Sequence, residues 1–168
     1  DLQRGFVEAA IDVPSGPLRV YSVHLSHVGP QQRLPQVGAL METVLDAERI
    51  GPTWDAAGGG TFMFQEARPE VPRQAIVAGD FNFTSQHPEY PLVCGEMSAY
   101  GRLGTKRHLS DAWTAAGNGE EGVESIPDEG RIDHAFITHD LVSRVRKAWI
   151  DHDTVASDHW PLFVEFDL

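Results

Sequence analysis

Apolar and polar residues alternate loosely from Phe6 to Val13. A dense turn signal follows at Pro14-Ser15-Gly16-Pro17, and Leu18 to Leu25 resumes as a β-branched and aromatic run, which predicts a hairpin. Leu34, Val37, Leu40, Met41, Val44 and Leu45 then recur at helical spacing, with Pro35 expected in the first turn and Gly51-Pro52 as the stop. The stretch to Arg73, with Gly58-Gly59-Gly60, reads as a long surface connection. Ala75 to Ala78 is apolar on both faces, as an interior strand should be. A loop and short helix are expected over 84–95, with Pro88 and Glu89 at the helix start, and a second helix capped by Ser110 with Trp113 packing inward. The acidic, glycine-rich segment 117–130 reads as mobile. Strand alternation returns at Arg131: Ile132, His134 and Phe136 share one face, Asp133, Ala135 and Ile137 the other. Two further strands are expected over 145–150 and 161–166. Without repeats or a linker, residues 1–168 read as a single domain.

Composition narrows the classes. The chain has 168 residues, 41% of them hydrophobic, enough for one real core, and no apolar run of membrane-spanning length. Its formal charge of −12 lacks the basic footprint of a protein that tracks a nucleic-acid backbone, and favours a small or neutralised phosphoester over long duplex DNA. The single cysteine, Cys94, excludes an internal disulfide, says little about compartment, and reads as a small buried apolar residue. Arg102, Lys106, Arg107 and His108 form the one local basic patch, read as a solvated loop. His87, His139 and His152 read as surface or loop histidines, and Trp113, Trp149 and Trp160 as core residues.

The chemistry gathers at strand ends. Gly79 should let the backbone turn where its strand finishes. Asp80 and Asn82, two apart, should leave the sheet's edge on one side, with Phe81 pointing back into the core. A charged acceptor beside a carboxamide suits a hard cation and a phosphoryl oxygen, although Asp and Asn also cap backbone groups in ordinary turns. His24 ends the second strand of the hairpin. Hydrolysis of a phosphoester needs in-line attack by water and neutralisation of charge on the equatorial oxygens. A carboxylate partner fixes a histidine's tautomer and raises its pKa, so it can carry a proton near neutrality.

Five short segments stand in one order: His24-Leu25, Gly79-Asp80-Phe81-Asn82, Leu109-Ser110-Asp111-Ala112-Trp113, Arg131-Ile132-Asp133-His134 and Ser157-Asp158-His159. That series resembles the endonuclease/exonuclease/phosphatase superfamily, the metal-dependent phosphoesterases that include DNase I-like nucleases, sphingomyelinases and inositol polyphosphate phosphatases. The resemblance implies a four-layer α/β sandwich, two central mixed β-sheets flanked by helices, with the site at one end of the sheets. It makes Asp80 the residue that orients the attacking water near the metal, Asn82 the amide gripping a phosphate oxygen and His159 the catalytic histidine. Asp133 becomes the carboxylate orienting a histidine, and His24 a donor to a non-bridging oxygen. Asp158, with Asp80 and Asn82, falls on the metal side, and the cofactor implied is Mg²⁺ or Mn²⁺. The substrate implied is a phosphoester: a small molecule, a lipid head group or a nucleic acid.

In that family an Asn and a Glu of a Gln-Glu strand supply the main metal ligands ahead of the His24 motif. Here only 23 residues precede His24, so the chain resembles roughly the last two thirds of the domain, with its N-terminal strands absent. Gln65-Glu66 has the right letters in the wrong order, and Glu66 reads as a solvated loop carboxylate. Three expectations follow: a weak metal site, apolar sheet surface left for a missing N-terminal segment or a self-association partner to cover, and uncertain activity of this chain alone. Two other readings stay open. One is a non-catalytic binding module that keeps the fold; the other is a zinc hydrolase built on His24, His27 and a distant carboxylate.

Overall fold

The computed structural model describes residues 4–51 and 71–168. The hairpin forms as expected: β1 (Phe6–Val13) runs antiparallel to β2 (Gly16–His24), with Val13 opposite Gly16. Helix α1 (Pro30–Leu45) follows, with a short α2 (Ala47–Ile50). Pro30, not Pro35, takes the first helical position; Pro35 lies inside the helix, contrary to its expected place in the first turn. Arg33, Val37, Leu40, Met41 and Val44 form the buried stripe. β3 (Ala75–Asp80) lies parallel beside β2, and α3 (Glu89–Cys94) and the small hairpin β4 (Met97–Ser98) and β5 (Gly101–Arg102) follow. β6 (Ser110–Asp111) leads into α4 (Ala112–Ala115), and β7 (Asp133–Ile137) into a 3-10 helix (His139–Arg144). β8 (Val145–Ile150) and β9 (Leu162–Phe166) close the chain as an antiparallel ribbon.

Five strands make one mixed sheet in the order β1-β2-β3-β7-β6. Its two faces are covered unequally. Tyr21, Val23, Val77 and Phe136 pack under α1 and α3 against Val37, Leu40, Val44, Phe81, Phe83, Tyr90 and Val93, all buried. The opposite face carries Leu18, Ala135 and Ile137 against Leu162, Val164 and Phe166 of the ribbon, with Val20, Ile76 and Ala78 only partly buried. Toward β1 this face opens to solvent, and Val7 is 70% exposed.

Two local expectations change. Ser110 does not cap α4; it belongs to β6, and Asp111 one residue later takes the cap, its carboxylate accepting from the Trp113 N–H. Gly79 is not a turn residue but part of β3, at φ 147°. A Cβ there would lie 1.9 Å from the Val23 carbonyl oxygen, so glycine lets β2 and β3 approach. The connection containing Gln65 and Glu66 lies outside the described residues.

Candidate active site

Three strand ends meet at one edge of the sheet. The register pairs His24 of β2 with Asp80 of β3, and Asp80 with Asp133 of β7, so these side chains share the partly covered face. His24 Nε2 lies 3.4 Å from Asp80 Oδ2. Beyond β3 the chain turns sharply at Asn82, whose φ of 54° is left-handed, a conformation that costs a non-glycine residue about 1–3 kcal/mol. The turn is held locally: the Asn82 N–H donates to Asp80 Oδ1 at 2.8 Å, and the Asn82 carboxamide donates to the Leu25 carbonyl at 3.1 Å. Asn82 therefore reaches Asp80 through a turn rather than through continued strand pleating, while Phe81 goes into the core as expected.

His159 arrives from the loop between β8 and β9. Its Nδ1 lies 2.8 Å from Asp133 Oδ2, and with that ring nitrogen donating, Nε2 is not used by the pair. Partial burial alone would lower the His159 pKa. The hydrogen bond to Asp133, with the nearby charges of Asp133, Asp80 and Asp158, outweighs it and raises the pKa above the usual histidine value. Asp158 is exposed, and its Oδ1 accepts from Ser157 Oγ at 3.2 Å. A hollow of about 360 Å³ opens beside the pair, lined by Gly79, Asp133, His159 and Trp160 among others. Asp80, Asn82 and His24 stand at the neighbouring strand ends and do not line it.

Ser125 escaped the sequence reading. It is fully buried; its hydroxyl accepts from the Ile132 and Asp133 N–H groups at 3.0 Å each, and its carbonyl accepts from the Trp160 N–H at 2.7 Å. One serine thus ties the strand of Asp133 to the loop of His159. It lies in the segment expected to be mobile, where a serine among glycines and acidic residues carries no mark of such a role.

On the opposite face of β7, His134 is buried with Arg131, Asp111 and Tyr90. Arg131 Nη2 donates to Asp111 Oδ2 at 2.6 Å, and the Tyr90 hydroxyl to the same oxygen at 2.7 Å. Burial alone would raise the Asp111 pKa, yet His134 and Arg131 hold it far below the carboxylate range. Cys94 is buried, its thiol pushed up mainly by desolvation. Within the basic patch Arg102 pairs with Glu120 and Arg107 with Asp46, so two of its charges are engaged at home. Trp113 is buried, whereas Trp149 and Trp160 are partly buried.

Among the described residues no group of three or more His, Cys, Asp or Glu is placed to hold a metal. Mg²⁺ takes near-octahedral oxygen ligation, commonly one or two carboxylates with several waters, and Asp80, Asn82 and Asp158 offer part of such a donor set. The zinc reading built on His24 and His27 likewise finds no third donor among the described residues.

The sequence profile of the Endonuclease/Exonuclease/phosphatase family matches residues 27–159. The chain belongs to that family. Solved structures agree on the fold. An endonuclease/exonuclease/phosphatase from Bacteroides vulgatus superposes with a TM-score of 0.61 at 19% identity, covering 98% of this chain and 56% of that one. A family protein from Bacteroides thetaiotaomicron gives 0.56 at 21% identity, covering 98% and 57%. The endonuclease domain of TRAS1, a telomere-specific non-LTR retrotransposon, gives 0.53 at 21% identity, covering 97% and 64%. The chain thus spans somewhat over half the length of these structures. No curated protein sequence matches it.

Proposed function

We propose that the chain is a single domain carrying the phosphate-gripping and proton-handling residues of a phosphoester hydrolase, a phosphodiesterase or phosphatase. The observation that carries this reading is the convergence of His24, Asp80 and Asn82 with the Asp133–His159 pair on three adjacent strand ends. Membership of the family supports the same class of reaction.

In this reading Asp133 fixes the His159 ring and raises its pKa, favouring the protonated form, so Nε2–H faces the phosphoryl oxygens and stabilises their growing charge. Asp80 orients the attacking water. Asn82 has two amide hydrogens and spends one on Leu25, leaving the other for a phosphate oxygen. His24 donates to a second non-bridging oxygen. A divalent cation, Mg²⁺ or Mn²⁺, is part of the family resemblance; Asp80, Asn82 and Asp158 would help to hold it, and it would neutralise charge on the phosphoryl oxygens.

The test is hydrolysis of bis(4-nitrophenyl) phosphate by the chain with Mg²⁺ or Mn²⁺, beside His159→Ala. Metal-dependent turnover that vanishes in the variant supports the proposal, and turnover indifferent to His159 refutes it.

A second reading, a binding module without turnover, draws on the absence of a three-donor metal group among the described residues. Phosphate binding without hydrolysis at any metal concentration favours it. The open face beside β1 adds a partner: we propose that a further polypeptide segment or a second copy covers Val7 and Ile11. A monodisperse monomer with one cooperative melting transition would exclude that cover.

A further inference from the structure

The loop that carries Asn82 is tied to the segment of β7 at two points, one on each side of Asn82. Upstream, the Phe81 N–H donates to the Ile132 carbonyl at 3.0 Å. Downstream, His134 Nε2 meets the Phe83 carbonyl at 2.7 Å. The other ring nitrogen of His134, Nδ1, lies 2.7 Å from Arg131 Nη1. A guanidinium can only donate, so Nδ1 must carry a lone pair and Nε2 must carry the hydrogen given to Phe83. The arginine therefore chooses the tautomer, and the tautomer makes the tether. A second proton on the ring would point at Arg131.

His134 is 1% exposed, and its neighbours are all accounted for. Arg131 reaches it from the segment before β7. Asp111 of β6 stands with Oδ2 3.9 Å from Nδ1, held by Arg131 and by Tyr90 of α3. Phe81, Phe83 and Phe136 enclose the ring. Burial foremost, with the Arg131 charge in the same sense and Asp111 opposing, keeps His134 below the usual histidine pKa. Mere packing would be met by any ring; this one is satisfied at both nitrogens. Asn82, between the two tethers, holds a left-handed backbone at φ 54°.

We infer that His134 is a positioning residue: set as the Nε2–H tautomer by Arg131, it grips the Phe83 carbonyl and so holds Asn82 against Asp80. The inference rests on the reading of Asn82 as a phosphate-gripping amide, but its first two readouts do not need turnover.

The experiment uses the whole chain. In ¹⁵N-edited imidazole spectra His134 should show the Nε2–H tautomer, uncharged, at pH 7. His134→Phe keeps the ring among its aromatic neighbours and removes both polar contacts; the Asn82 backbone amide should then lose about tenfold or more of its hydrogen-exchange protection. His134→Gln, whose amide N–H can donate to the Phe83 carbonyl and whose oxygen can accept from Arg131, should recover most of that protection. Where the chain hydrolyses bis(4-nitrophenyl) phosphate, kcat should fall about tenfold in the Phe variant with KM little changed, and should return in the Gln variant.

An Nδ1–H or charged ring at pH 7, a folded His134→Phe with Asn82 still protected, or a Gln variant no better than Phe would each overturn the inference. Should His134→Phe fail to fold, the wild-type tautomer and the Asn82 protection of the Gln variant decide it. A wild-type chain without turnover refutes the hydrolase reading alone, because the Asn82 amide still reports on the tether.

Discussion

Asp133 and His134 are neighbours in β7, point to opposite faces, and each belongs to a histidine–carboxylate arrangement of opposite character. On the partly covered face, Asp133 binds His159 with both side chains partly exposed and no arginine in the pair, and the imidazole pKa rises. On the buried face, His134 meets Arg131 and Asp111, and its pKa falls. In the proposed reading, the same two side-chain types make a proton carrier in one place and a fixed hydrogen-bonding strut in the other. What separates them is burial and the presence of a cation.

The comparison breaks hardest at His159. His159→Ala should reduce any phosphodiesterase activity about 100- to 10,000-fold, the range of positioned acid–base help, while the melting temperature moves little. On the buried side the effects should reverse. Arg131→Met strands the Asp111 carboxylate, at a cost of about 3–5 kcal/mol measured by urea unfolding, because a buried charge loses its partner. An equal stability loss from His159→Ala would erase the distinction.

Asp133→Asn sharpens it more gently. His159 should titrate at a lower pH in NMR, and activity at neutral pH should fall with the protonated fraction, the fold remaining intact. The smallest effect concerns the pH dependence of stability, and the two histidines differ in sign. His134 has a folded pKa below its unfolded value of 6.5, so its contribution is full above that pH and drains away as pH falls toward the folded value. His159 has a raised folded pKa, so its contribution is full below 6.5 and is lost as pH rises through the folded value. Urea midpoints between pH 4 and 9 should show His134→Phe flattening the acid side and Asp133→Asn the other. Identical profiles would mean that neither pair behaves as described.

The sequence exposed one side of this comparison and hid the other. The hairpin, α1, β3 and β7 could be read because each buries a face at its own period, with Tyr21 and Val23 or Val37 and Val44 recurring where the geometry requires. Asp80 and Asn82 could be singled out because they stand where an apolar run stops, and Asp133 and His159 because their short segments resemble those of the family. The strut could not be: Arg131 and Asp111 are 20 positions apart, and His134 on an apolar face reads as packing until its nitrogens have partners. Ser125 is hidden for the same reason, since its role lies in backbone groups seven and eight residues onward. At α4, Ser110 and Asp111 are both competent caps, and only the start of the helix chooses between them.

The most direct test of the central claim, that distant strand ends address one phosphorus atom, is a titration of the ¹⁵N-labelled chain with inorganic phosphate. The account predicts that the His159 and His24 ring signals and the Asn82 carboxamide shift together along one binding curve, and that His159→Ala weakens the response of the other two. Separate curves, or a response at His24 and Asn82 that ignores the loss of His159, would contradict it.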